Sequence, residues 1–526
     1  MATPQQKLAD SLEALEALQK RSVVAVRSSD LSRIHRERLV KGGFLQEVMK
    51  GWYIPSRPDG ARRESTIWYA SFWDFCSGYL TVRFDQAWSL SPEQSLFIHT
   101  GNWAVPRQLL VRSPRARNKV TALAHDTSLL EIRAPLASEG RVVILDGLRL
   151  FSLPAALVAV GPRLFTRNVT EARTALTMVR DASEVLTILL SGGHSVVAGR
   201  LAGAFRNIGR NKIADEIIQS MRAAGYDVRE SDPFDSPASF AHPPRALSPY
   251  VIRMGLSWQQ MRESVLQTFP KAPGIPKDTP AYLKTVDEIY VEDAYHSLSI
   301  EGYRVSRELI ERIRSGAWDP DGDSADRQGR DALAAKGYFE AFTVVKGSVR
   351  HVLNGANAGD VFERDHGAWY RALFAPGVSA GILSAADLAG YRSGQVYIVR
   401  SRHVPPKPEA VRDTMPELIE LLRAEPDAGV RAVLGHFMFV YIHPYMDGNG
   451  RMGRFLMNLG LASGGYPWTV VPVERRHNYL KALEAASVGQ DVRPFSEFLG
   501  GLVKDRQKAA GKKARTIAKR APRRTA

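Results

Sequence analysis

Apolar positions divide the chain into zones of different period. Leu8, Leu12, Leu15 and Leu18 recur at helical spacing, so residues 8–20 are predicted as an amphipathic helix. The β-branched run at residues 23–26 predicts a short strand. Ser28 or Ser29 is suited to cap a second helix running to about Lys41, with Leu31, Ile34 and Leu39 facing inward and Gly42-Gly43 as its stop. Residues 44–54 read as two strands around Lys50-Gly51. Helix, strand, helix and hairpin is the order of a winged helix-turn-helix, which assigns residues 1–58 to one such domain.

Residues 60–233 mix periods and predict a separate α/β domain. Short β-like runs fall at 95–99, 129–132 and 141–144, and a helical region spans 170–224. No catalytic constellation stands out there. Residues 234–249 hold Pro237, Pro243, Pro244 and Pro249 and read as a linker. From 250 to 503 the pattern is mostly helical, with strong amphipathic stretches at 279–300 and 416–423. The exception is strand-like, residues 395–404, closed by Pro405-Pro406.

Length and charge sharpen this picture. A chain of 526 residues exceeds what one core holds, and a 44% hydrophobic and 24% charged composition is that of an ordinary globular protein. The lone cysteine, Cys76, rules out an intrachain disulfide and a Cys-rich zinc site. No basic stretch leads into an apolar core at the N-terminus, and no apolar run reaches membrane-spanning length, so a cytoplasmic, membrane-free protein is expected. Residues 504–526 carry ten Lys or Arg against one Asp, a net of +9 out of the chain's +16. That segment reads as a disordered basic tail with the charge to hold nucleic acid.

Chemistry concentrates between residues 443 and 454. An apolar helix at about 433–442 should stop at His443-Pro444, because a residue before proline avoids the helical region. Asp447-Gly448-Asn449-Gly450 can turn several main-chain N–H groups into one concavity, and a new helix begins there. A helix N-terminus is an anion site. Arg451 and Arg454, three apart, point from one helical face and add bidentate phosphate binding. Asp447 is the hard oxygen ligand that suits Mg²⁺ beside phosphates, and His443 is the general base available near neutral pH. Together these groups equip the segment for phosphoryl or nucleotidyl transfer to a hydroxyl.

The segment His443-Pro444-Tyr445-Met446-Asp447-Gly448-Asn449-Gly450-Arg451-Met452-Gly453-Arg454 resembles the Fic motif, His-Pro-Phe-x-(Asp/Glu)-Gly-Asn-Gly-Arg-x-x-Arg, with Tyr445 in place of Phe. The resemblance covers residues 250–503. It implies a mainly α Fic fold with a β-hairpin flap, so the whole chain is expected to be multidomain: winged helix-turn-helix, mixed α/β domain, then the Fic part. It further implies that ATP is the substrate and that Asp447 holds Mg²⁺. Gly448, Asn449 and Gly450 would receive the α-phosphate, Arg451 the β-phosphate and Arg454 the γ-phosphate. His443 would deprotonate a Ser, Thr or Tyr hydroxyl of a protein target, and AMP would be transferred with release of pyrophosphate.

Three further resemblances follow. Ser297-Leu298-Ser299-Ile300-Glu301-Gly302 is similar to the family's inhibitory pattern, in which Glu301 would pair with Arg454 and deny the γ-phosphate its place. Residues 391–406 are similar to the flap that pairs with an extended target segment, with Val396, Tyr397, Ile398 and Val399 supplying strand character. Residues 476–483 are similar to the helix beside the adenine pocket. In the N-terminal half, Arg38-Leu39-Val40-Lys41-Gly42-Gly43 and Gly51-Trp52-Tyr53-Ile54 resemble the winged helix of abortive-infection antitoxins and related transcriptional regulators, and residues 200–233 resemble the later part of such proteins. On that resemblance Arg33, Arg36, Arg38 and Lys41 would face DNA. Competing expectations are AMP removal, transfer of another nucleotide-derived group, or a DNA-binding regulator whose Fic part senses nucleotide. The target, the acceptor residue type and association with a second copy of the chain are left open by the sequence.

Overall fold

The computed structural model describes residues 3–58, 65–138, 140–236, 248–318, 329–388 and 390–520, with side chains to 509. The chain forms two compact units, Met1–Arg253 with Tyr397–Val404, and Met254–Val396 with Pro405–Ala526. Among the described residues no helix is long and apolar enough to cross a membrane.

The first unit opens with α1 (Pro4–Gln19), β1 (Val26–Arg27), α2 (Arg33–Lys41), β2 (Leu45–Met49) and β3 (Trp52–Pro55). The strands form an antiparallel sheet in the order β1-β3-β2. Thr3 closes a capping box with Gln6 at the start of α1, and Leu15 and Leu18 bury with Leu39 and Leu45. Two details differ from the sequence reading. Ser32, not Ser28 or Ser29, caps α2, its Oγ accepting from the His35 N–H at 3.2 Å. Ile34 is 60% exposed rather than inward. With helical geometry it lies about 140° around the helix from Leu39, so the two cannot share a buried face.

The unit continues with α3 (Ser65–Phe84), β4 (Ser89–Leu90), α4 (Pro92–His99), β5 (Gln108–Ser113), β6 (Val120–Ala122), β7 (Ser128–Arg133), β8 (Val142–Leu145) and β9 (Leu148–Phe151). A four-stranded sheet runs β4-β5-β7-β6, with β5 and β7 parallel, and β8 pairs β9 as a hairpin. The runs at 129–132 and 141–144 are strands as expected, whereas 95–99 is helical. There Ser91 caps α4 through the Gln94 N–H and Pro92 stands at its first position, a start signal that outweighs the β-like run. Six helices complete the unit: α5 (Leu153–Ala159), α6 (Arg163–Arg167), α7 (Val169–Met178), α8 (Ser183–Gly192), α9 (Ser195–Asn207) and α10 (Asn211–Ala223). Part of the expected linker, residues 237–247, lies outside the described residues.

The second unit begins within α11 (Pro249–Thr268) and is helical: α12 (Thr279–Ile300), α13 (Arg307–Arg314), α14 (Arg330–Leu353), α15 (Ala358–Ser379), α16 (Pro408–Ala424), α17 (Ala428–Ile442), α18 (Asn449–Ala462), α19 (Arg476–Gly489) and α20 (Arg493–Arg520). Its core gathers α12, α14, α15, α16, α17 and α18 into one apolar cluster. Helix α18 is buried along its whole length except at Gly450. Gly460 lets it approach α17, since a Cβ there would meet Ala432 backbone at 2.9 Å. Phe455 on α18 is fully buried against Tyr338, their ring centroids 5.0 Å apart. Replacing Phe455 with Ala is expected to cost about 3–5 kcal/mol, read as a lower urea midpoint by far-UV dichroism.

Two further expectations are corrected in this unit and its flanks. Helix α20 runs through Arg520, so most of the basic segment continues a helix rather than forming a loose tail. Residues 395–404 form no strand, so Val396, Tyr397, Ile398 and Val399 belong to no ladder. Their strand-favouring character lacks a neighbouring strand, and Arg400 breaks the extended run with a φ of 60°. Within the first unit, Arg400 N–H instead donates to Thr66 Oγ1 at 3.0 Å and Val105 N–H to Arg402 O at 2.8 Å.

Candidate active site

The sequence from Ile442 to Arg454 folds as a helix end, a tight loop and a helix start. Helix α17 stops at His443, which caps it in the left-handed region at φ 53°. Its N–H still reaches Phe439 O at 3.0 Å. Gly448 then enters α18 at φ 82°, a conformation that costs glycine little. Asn449 closes the loop between them. Its Oδ1 accepts from Tyr445 N–H at 2.9 Å and its Nδ2 donates to Tyr445 O at 2.8 Å. The Asn449 side chain is therefore committed to the loop, and what it can offer an anion is its main-chain N–H. The first-turn N–H groups of α18 have no intrahelical acceptor by position. Tyr445 packs beneath the loop, stacked on Tyr370 at 3.8 Å between centroids.

Both arginines of the motif are buried at the mouth of this helix. Arg451 is 1% exposed, and its Nε and Nη2 have no hydrogen-bond partner among the described residues. Tyr303 and Phe374 flank its guanidinium at 5.2 and 5.0 Å from their ring centroids. Asp447 Oδ2 stands 3.5 Å from Arg451 Nη2. A buried guanidinium with donors to spare has the chemistry to bind an anion.

Arg454 has its anion already. Its Nε donates to Ser297 Oγ at 2.8 Å, and its Nη2 donates to Ser297 O at 3.1 Å and to Glu301 Oε1 at 2.7 Å. The same Glu301 oxygen lies so close over the start of α18 that a Cβ on Gly450 would come within 2.2 Å of it. One carboxylate thus covers both the second arginine and the helix N-terminus. Desolvation alone would push the Glu301 carboxyl up. The Arg454 guanidinium, with Arg451 and His443, outweighs that and holds it below the ordinary carboxylate range, fully charged at neutral pH.

The end of α12 aims that carboxylate. Glu301 caps the helix, Gly302 follows at φ 90°, and Tyr303 N–H returns to Leu298 O at 3.1 Å. Arg476 on α19 donates from Nε to Ile300 O at 2.7 Å, securing the helix terminus. Two turns earlier Asp293 accepts from the Tyr338 hydroxyl at 2.7 Å, and burial pushes its carboxyl up to about 6. Glycine as helix terminator and Glu301 as ligand of Arg454 are therefore one device, not alternatives.

His443 is half-buried beside this cradle. Its Nδ1 lies 3.1 Å from Val440 O, which assigns the proton to Nδ1 and leaves Nε2 with a lone pair. Burial, reinforced by the Arg392 cation, pushes the imidazole down to about 4. The ring is neutral at physiological pH and able to accept a proton.

Asp447 fits the Mg²⁺ expectation in kind. Its side chain is 61% exposed, with Oδ1 accepting from Gly448 N–H at 2.6 Å. Among the described residues no group of three His, Cys, Asp or Glu side chains gathers. A metal here would rest on one carboxylate and complete its shell with phosphate and water, which is how Mg²⁺ binds beside nucleotides.

The structure thus brings together His443, Asp447, Gly448, Asn449, Gly450, Arg451 and Arg454 with Ser297, Glu301 and Gly302. The residues predicted to face DNA lie on α2 and make surface contacts or none among the described residues. Arg33 pairs with Glu37 at 2.7 Å, Arg36 Nη1 donates to Ser28 O and Arg38 Nη1 to Lys7 O, while Lys41 is exposed. Sequence reasoning missed Tyr303 and Phe374 around Arg451; it singled out the segments that hold Arg476 and Arg392 but not their contacts with the α12 terminus and His443. Of the two aromatics, Tyr303, two residues past Glu301, carried a local signal.

Residues 369–461 match the Fic/DOC family model. The protein adenylyltransferase Fic of Nematostella vectensis is 30% identical over 273 residues, covering 51% of this chain and 58% of its own length. That of Drosophila willistoni is 32% identical over 220 residues, 40% of each chain. This chain therefore spans about two to three fifths of those relatives. Among solved structures, Fic-1 (residues 134–508) from C. elegans superposes with a TM-score of 0.37 at 20% identity, over 64% of this chain and 94% of that one.

Proposed function

From the Fic/DOC domain that this chain carries at residues 369–461, we propose that it is an autoinhibited protein adenylyltransferase, moving AMP from ATP onto a protein hydroxyl. The observation that carries the proposal is the Glu301 carboxylate lying at once on Arg454 and over Gly450, so that a fixed anion occupies a site built for a mobile one.

The mechanism follows from the residues present. With Glu301 displaced, Arg454 takes the outermost phosphate, Arg451 the next, and the N–H groups opening α18 receive the innermost. Asp447 would hold Mg²⁺, which when bound offsets charge on the phosphates. His443 Nε2 accepts the proton of the incoming hydroxyl while Val440 O retains the Nδ1 proton. The hydroxyl oxygen forms its bond to the α-phosphorus as the bond to the bridging oxygen breaks, and pyrophosphate departs with that electron pair. Charge gathering on the transferred group meets preorganised N–H donors, the largest source of stabilisation in such sites.

The depressed imidazole sets the pH dependence. A base must be neutral, so activity is lost only as pH falls through the pKa, and that pKa is about 4 rather than the ordinary 6.5. In the Glu301→Gly variant, AMP transfer should therefore stay level from about pH 6 to 8. A fall of half or more by pH 6.5 would count against the assigned environment of His443. The function itself is tested by incubating the Glu301→Gly chain with ATP and Mg²⁺ and reading its intact mass. One added AMP per modified site supports transfer; ATP binding with no gain in mass favours a nucleotide sensor instead.

A further inference from the structure

We propose that Arg392 is a positioning residue for the transfer chemistry, its guanidinium tying the main chain of His443 to both ends of the 394–406 segment. The proposal rests on the adenylyltransferase reading above.

Arg392 is 2% exposed and spends its donors on main-chain carbonyls. Nε donates to His443 O at 2.8 Å, Nη1 to Gly394 O at 2.9 Å, and Nη2 to Pro406 O. Its own N–H donates to Pro444 O at 2.9 Å. The ends of the 394–406 segment are tied once more by Gln395, whose Nε2 donates to Pro405 O at 2.9 Å. One side chain thus joins three places in the chain: the carbonyl of the proposed base and the two ends of the 394–406 segment.

Two physical points argue that the arrangement serves more than packing. A buried guanidinium bonded to carbonyls alone bears a desolvation cost that a methionine of similar length would not. Burial accordingly pushes Arg392 down to about 10, so it remains charged at neutral pH. His443, moreover, holds a left-handed conformation that a residue with a side chain adopts only when its surroundings over-determine it. Phe439 O fixes its N–H and Val440 O its ring, and Arg392 fixes the remaining main-chain group, its carbonyl. Removing that third restraint frees the imidazole to leave the line of attack and uncouples it from the 394–406 segment. Lysine cannot replace it, because a single ammonium does not reproduce a planar fork reaching three separate carbonyls.

The test uses the full chain with Glu301→Gly as parent, comparing Arg392→Lys and Arg392→Met. Three quantities are read: the rate of AMP incorporation at saturating ATP, the ATP dissociation constant by equilibrium binding, and amide exchange by mass spectrometry. Both variants should lose about tenfold or more in rate, as misplacement of a reacting group does, with ATP affinity within about twofold of the parent. Peptides covering 394–406 and 440–447 should exchange faster together, by about fivefold, while one covering 452–460 stays as in the parent. A rate within about twofold of the parent would overturn the proposal. So would parallel loss of ATP affinity with faster exchange across 452–460, which marks a merely structural role. If the parent itself incorporates no AMP, the adenylyltransferase reading fails, and the exchange arm still decides on Arg392: unchanged peptides at 394–406 and 440–447 refute the clamp.

Discussion

Replacing Glu301 with glycine should raise AMP incorporation from labelled ATP by one to two orders of magnitude. On the proposed reading Glu301 competes with the nucleotide for one guanidinium and one helix N-terminus; its carboxylate holds Arg454 at 2.7 Å and crowds Gly450. A charge-assisted hydrogen bond of this kind contributes about 1.5–3 kcal/mol. At about 1.4 kcal/mol per factor of ten, its removal corresponds to roughly 10- to 150-fold. The backbone change is mild, because Glu301 sits at the C-cap of α12 rather than in its interior, and Gly302 still ends the helix. Initial rates of label incorporation for the two chains at equal ATP measure the effect. Equal rates would mean that Glu301 is not a brake.

Replacing His443 with alanine in the Glu301→Gly chain should lower the rate by about 10²- to 10⁴-fold, the usual contribution of a general base. ATP affinity should stay nearly unchanged, because the proposed phosphate cradle consists of Arg451, Arg454 and the opening of α18 and not of the imidazole. The left-handed backbone at residue 443 remains a strained position for alanine, so the comparison includes His443→Asn, since asparagine tolerates that region better. A rate loss in both variants at preserved ATP affinity identifies the ring as the reacting group. If both retain transfer, another residue takes the proton.

How much of this was legible in the sequence depends on how local the determining physics is. The cradle was readable because its parts are contiguous: a helix stop before Pro444, a Gly-Asn-Gly turn and two arginines one helical turn apart. Glu301 was readable because Ser297, Glu301 and Gly302 share one helix end, although only the fold brings that end to Arg454, more than 150 positions later. Arg392 was not readable. Its partners are main-chain carbonyls at 394, 406 and 443, and carbonyls carry no residue identity. The docking strand failed for a related reason: Val396 to Val399 have the composition of a strand, but strand structure requires a neighbour that composition does not supply. In the N-terminal region the order of elements followed from the apolar pattern, while the start of α2 turned on which of three nearby serines capped it.

The central claim is that α18 grips a triphosphate while His443 directs a hydroxyl at its innermost phosphorus. It is tested most directly by offering the Glu301→Gly chain ATP labelled at either the α or the γ phosphorus. Covalent retention of the α label, with the γ label released as pyrophosphate and neither retained once His443 is Ala, is the predicted result. Retention of the γ label, or undiminished α label without the histidine, would contradict it.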